Sequence, residues 1–123
     1  MQSARLVAAV AELGSLGIIA FMGIDIRWED ERGEQLAELV DPGSLVARFL
    51  PPFDSREFSC LRFVDPAGDT AFNQAQITEL VHELERLSAK RHEPRVEAHL
   101  RAVLEFVRQT VGKTHTYIKF YGD

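Results

Sequence analysis

The chain has 123 residues, of which 46% are hydrophobic and 27% charged, and a net charge of −5. That length suits one domain with a core large enough to stand without staples, and the charge argues against the basic stripe that general nucleic-acid binding requires. Its single cysteine, Cys60, excludes an internal disulfide and the usual Cys₂His₂ or Cys₄ zinc sites, and fits a reducing cytoplasm.

Leu6 to Phe21 is largely apolar, but Glu12, Gly14, Ser15 and Gly17 interrupt it. A membrane helix needs about 20 predominantly apolar residues, and this stretch is shorter and broken; as a signal peptide it has only Arg5 in its charged region and no small-x-small cleavage site just before the folded part. Regular patterning begins at Gly23. Residues 1–21 are therefore expected to be an extension, a loosely docked helix, on a single α+β domain of residues 22–123. No membrane span is expected.

Ile24, Ile26 and Trp28 alternate with Asp25, Arg27 and Glu29, the period of a half-buried strand. Asp30-Glu31-Arg32-Gly33 supplies a turn, and Gln35 to Val40 returns as a second strand. Asp41-Pro42-Gly43 stops it. Ser44 is placed to cap a short helix carrying Leu45, Val46, Phe49 and Leu50, which Pro51 and Pro52 end. Phe53 to Ser59 reads as loop, and the short apolar run Cys60 to Val64 as a third strand.

Asp65-Pro66-Ala67-Gly68 has the residue order of a type I turn. Asn73 stands three residues before Gln76, an Asn/Gln version of the capping box. Ile77, Leu80, Val81, Leu84 and Leu87 then share one helix face. Pro94 opens a second helix, with Val96, Leu100, Val103, Leu104, Val107 and Val111 as its apolar stripe and Gly112 beyond its end. The short link makes the two helices antiparallel neighbours. Thr114 to Tyr121 is the last strand. The element order is ββαβααβ: a small antiparallel or mixed four-stranded sheet packed against an antiparallel helical hairpin.

Several residues invite a functional reading. Residues 22–41 hold seven acids, Asp25, Glu29, Asp30, Glu31, Glu34, Glu38 and Asp41, against Arg27 and Arg32, which accounts for the whole net charge. Charge on a hairpin protects an edge strand from aggregation; it also steers a basic protein partner. Asp65 and Asp69 bracket a turn after a strand, where carboxylates serve as turn openers or as chemistry. The spacing is not that of a calcium loop. His82 begins His-Glu-Leu-Glu-Arg, but Arg86 stands where a metalloprotease helix needs its second histidine. His82 and His99 are expected on solvated flanks, and His92 near the helix–helix turn. His115 enters the last strand beside two tyrosines. Cys60 lies among apolar residues, as an inert thiol does. No phosphate loop, dinucleotide fingerprint or nucleophile elbow is present, so no catalytic residue, metal or cofactor is assigned.

Two segments, Leu61-Arg-Phe-Val-Asp-Pro-Ala-Gly-Asp-Thr-Ala-Phe-Asn-Gln-Ala-Gln76 and His115-Thr-Tyr-Ile-Lys-Phe-Tyr-Gly-Asp123, resemble a group of small, uncharacterised bacterial proteins. That group carries Asp-Pro-x-Gly-Asp-x-x-Phe-Asn-x-x-Gln and a terminal His-x-Tyr-x-Lys-Phe-x-Gly-Asp. The resemblance covers about residues 22–123. It transfers no activity and implies a bacterial cytoplasmic origin. If the two segments form neighbouring strands, Arg62, Asp65, Asp69, Asn73, His115, Lys119 and Asp123 approach one another as a polar cluster.

The sequence thus points first to a non-enzymatic binding module, an inhibitor or immunity-like protein that takes a basic protein on its acidic hairpin. The alternatives are a small hydrolase or metal-dependent enzyme built on Asp65, Asp69 and His115, and a structural subunit of a homo-oligomer. The sequence leaves the oligomeric state open.

Overall fold

The structure, a computed structural model, describes residues 23–122. The expected N-terminal extension and Asp123 lie outside the described residues. The elements run β1 (Asp25–Asp30), β2 (Gln35–Leu39), α1 (Val46–Phe49), a 3-10 turn (Leu61–Phe63), β3 (Asp69–Phe72), α2 (Gln74–Ser88), α3 (Pro94–Arg108) and β4 (Thr116–Tyr121). The four strands form one antiparallel sheet in the order β2-β1-β4-β3. This is the α+β arrangement that the residue pattern predicts.

The period of two decides what each face of the sheet carries. Ile26 and Trp28 of β1, Ile118 and Phe120 of β4, and Phe72 of β3 share the inner face through their register. They join a core with Ile77, Leu80, Leu84 and Leu87 of α2 and Val96, Leu100, Val103, Leu104 and Val107 of α3. Phe72 meets Phe120 edge to face, with ring centroids 5.8 Å apart. Leu84 and Leu104 point into this core, as their helical spacing requires.

Local chemistry sets the boundaries. Gly33 takes φ +82°, a conformation that side chains resist, and closes the β1–β2 turn. The Gly68 amide donates to the Asp65 carbonyl, as in the expected turn. Both halves of the capping box at Asn73 and Gln76 are made. The Gln74 amide donates to the Thr110 carbonyl and the Thr116 hydroxyl, and its oxygen accepts from the Gly112 amide. One side chain thereby fixes the passage from α3 into β4. The Gly122 amide donates to the Gly68 carbonyl, and a Cβ on Gly122 would collide with the Asp65–Pro66 backbone. The end of β4 therefore lies tight against the proline-glycine bend.

Five expectations need correction. Cys60–Val64 is not a strand; the third strand is Asp69–Phe72. The buried carboxylate of Glu83 accepts from the Cys60 amide (2.9 Å), the Leu61 amide (2.8 Å) and the Ser59 hydroxyl (3.1 Å). Those donors converge on one point, which curls the chain into a 3-10 turn. Ser44 does not provide the α1 cap; it takes φ +60°, and the Leu45 and Val46 amides donate to Asp41 instead. Val111 falls beyond the end of α3 and is exposed. His99 is buried in the α3 interface and not solvated. His115, with φ +62°, precedes β4 and is exposed, so it sits outside the strand.

Candidate functional site

The outer face of the sheet carries the alternate residues: Glu38 of β2, Asp25, Arg27 and Glu29 of β1, and Tyr117, Lys119 and Tyr121 of β4. Arg27 Nε donates to Glu38 Oε2 at 3.1 Å, and its guanidinium lies 4.5 Å over the ring of Tyr121. The Tyr121 hydroxyl donates to Glu29 Oε2 at 2.6 Å. Lys119 Nζ stands 3.1 Å from Glu29 Oε1. Glu29 is 3% exposed, and each of its oxygens has its own cationic or hydroxyl partner. Three strands are stitched together by charge on the face opposite the helices.

Two groups on this face are held in their protonated forms. The hydrogen bond to Glu29 holds the Lys119 ammonium above the usual lysine range. Burial, and then the bond to Glu29, push the Tyr121 phenol up as well. Both stay protonated at neutral pH, whereas a catalytic base or nucleophile needs the opposite shift. Burial and the charge of Glu83 push the Cys60 thiol up to about 11, which removes its thiolate. Among the described residues, no group of three or more His, Cys, Asp and Glu side chains is placed to hold a metal ion.

The hairpin acids divide by role. Asp25 Oδ1 accepts from the Asp41 amide at 2.9 Å. Asp41 is buried and accepts from the Ile24, Leu45 and Val46 amides at 2.9, 2.7 and 3.2 Å. It joins the entry of β1 to the start of α1. Buried His99 faces it, with Nε2 3.7 Å from Asp41 Oδ1 and no hydrogen-bond partner on that nitrogen among the described residues. Desolvation lowers the His99 pKa against the pull of Asp41 and Asp25. Asp30 Oδ1 accepts from the Arg32 and Glu34 amides, both at 2.9 Å, and ties the turn.

Glu31 and Glu34 are left facing outward at the tip. Glu31 lies 3.4 Å from His115 Nδ1, both groups being exposed, so the contact is screened and weak. Alongside the tip, β2 is an edge strand among the described residues; its Leu36 is 47% exposed, and Val40, just past its end, is 39% exposed.

The polar cluster expected from the two resembling segments comes together only in part. Asp69 pairs with Tyr121, and Lys119 with Ala71, so β3 and β4 are neighbours. Asp65 and Asn73 serve locally: Asp65 Oδ1 accepts from the Ala67 amide and Asn73 caps α2. The Arg62 guanidinium stacks 4.5 Å over Phe63. Lys119 reaches Glu29 on the outer face. His115 lies at the far end of β4 from Asp69, roughly 20 Å away at the rise of an extended strand. That separation is well outside the hydrogen-bond or one-water reach that proton transfer needs.

Glu83 and His99 are the residues that sequence reasoning missed. Each sits within an apolar helix stripe: Leu80, Glu83, Leu84 and Leu87, and Val96, His99, Leu100 and Val103. A titratable residue three positions after an apolar one and directly before the next, on the buried face, is the available signal. No described helix is long and apolar enough to cross a membrane. No family model, curated protein or solved structure matches the chain.

Proposed function

We propose that this chain is a non-enzymatic protein-binding module, inhibitor or immunity-like, that presents the tip of its β1–β2 hairpin to a basic segment of another protein. One observation carries the reading. Asp25, Glu29, Asp30, Glu38 and Asp41 are engaged inside the fold, while Glu31 and Glu34 face outward on a turn that Asp30 holds rigid. Two carboxylates on a fixed backbone meet a cationic partner with little ordering cost, and their field raises the rate of encounter. The apolar flank at Leu36 gives the contact a dry side. A bacterial cytoplasmic setting suits a chain whose one cysteine is buried and free.

The test is capture by the immobilised full chain from a lysate of its source cell, with wild type and Glu31→Gln/Glu34→Gln compared at low and high salt. The expected result is a basic protein held by wild type at low salt, weakened at least tenfold by the double variant and released as the Debye length shrinks from about 10 Å at 0.1 M to about 3 Å at 1 M. A protein held equally by both chains and insensitive to salt would overturn the reading.

A further inference from the structure

We propose that His99 is an acid-sensitive latch, and that a proton taken up there loosens residues 41–50 from α3 while the sheet stays paired. The geometry at the junction carries this. α1 packs against α3. His99 is buried on α3, and its Nε2 faces Asp41, whose carboxylate gathers the first amides of α1. That nitrogen is buried without a hydrogen-bond partner. It stops 3.7 Å from Asp41 Oδ1, beyond hydrogen-bond distance. The Asp41 oxygens are already committed, Oδ1 to the Leu45 amide and Oδ2 to the Ile24 and Val46 amides.

A cation formed at Nε2 therefore loses water without gaining a hydrogen bond, and a poorly paired buried charge is costly. Asp41 and, from β1, Asp25 favour the cation, but burial outweighs them. The other charged groups at the junction are Arg95, one turn before His99 and beside Gly43, and the Arg48–Glu93 pair, which ties α1 to the start of α3 at 2.8 Å. Neither brings an unpaired anion to the ring. Opening the junction lets water reach the ring, so the proton favours the open form. The piece that opens is separable from the sheet, because the pairings of β1 with β2 and β4 include none of residues 41–50. The neutral ring keeps the junction closed above the ordinary histidine range near about 6.5, and the hold is lost as pH falls below it.

The latch sits at the root of the hairpin and is independent of what the tip binds. Amide hydrogen exchange of the full chain, followed by NMR from pH 8 to pH 5.5 and corrected for the intrinsic pH dependence of exchange, tests it. Protection of the Ile24, Leu45 and Val46 amides, which Asp41 holds, should fall below about pH 6.5 by at most about tenfold per pH unit, the limit for one proton. The Cys60 and Leu61 amides, which Glu83 holds, should keep their protection. In His99→Gln the three junction amides should lose this pH dependence, and in His115→Gln they should retain it. Should His99→Gln fold poorly, the ring signals of wild type decide: His99 should take up its proton at a pH below the ordinary histidine range. Junction protection that stays constant, falls together with that of Cys60 and Leu61, or falls equally in His99→Gln would overturn the latch, as would a His99 ring that protonates within the ordinary range.

Discussion

The two ends of the β1–β2 hairpin use the same chemistry for opposite purposes. At the end joined to α1, Asp41 is withdrawn from solvent and three backbone amides converge on it. At the turn, Glu31 and Glu34 face water and the backbone is tied by Asp30 instead. A buried carboxylate that satisfies several amides is structural, because removing it strands donors that water cannot reach. An exposed one contributes little to folding and is available to another molecule. The difference shows that a run of acids is not a surface until its hydrogen bonds have been traced.

The comparison is sharpened most by extending it to Glu83, the other carboxylate that gathers amides. Glu83→Ala leaves the Cys60 and Leu61 amides without their acceptor, and stranded buried donors at roughly 1–3 kcal/mol each, together with the cavity, predict a loss of about 3–5 kcal/mol in urea melts. The next effect belongs to the partner of Asp41. His99 has a lowered pKa in the folded chain because burial disfavours its cation. Its contribution to stability is therefore present above the ordinary histidine range near about 6.5 and is lost as pH falls below it. Denaturation midpoints measured between neutral and mildly acidic pH should fall, and His99→Gln should flatten that fall. A smaller change is expected on the outer face. Tyr121→Phe removes one donor from Glu29 but leaves Lys119 in place, a loss of about 1 kcal/mol by the same melts.

Much of this architecture is legible in the residues themselves. The helix faces follow from Ile77, Leu80, Leu84, Leu100, Val103 and Val107 at helical spacing, and the turns from Gly33, Asp65, Pro66 and Gly68. Those signals are local, and each needs only its immediate neighbours. Cys60–Val64 misleads because the residue that bends it, Glu83, lies more than twenty positions away. Asp69–Phe72 is too short to display a period and is made a strand by pairing with β4. Ser44 looks like a cap by type, yet Asp41 reaches the same amides from the end of β2. His115 adjoins two tyrosines in sequence, but its left-handed backbone turns the chain just before the strand begins. The acidic hairpin was visible as composition, while its division into buried and outward carboxylates depends on contacts that composition does not encode.

The most direct test sets the two ends of the hairpin against each other in one measurement. Urea midpoints are compared for Asp41→Asn and Glu31→Gln/Glu34→Gln. Asp41→Asn should lose about 2–4 kcal/mol, since an amide offers one acceptor oxygen where three backbone donors converge, while the tip variant should stay within about 0.5 kcal/mol of wild type. Equal losses in the two chains, or a larger one at the tip, would contradict the division of the hairpin into a structural end and a presenting end.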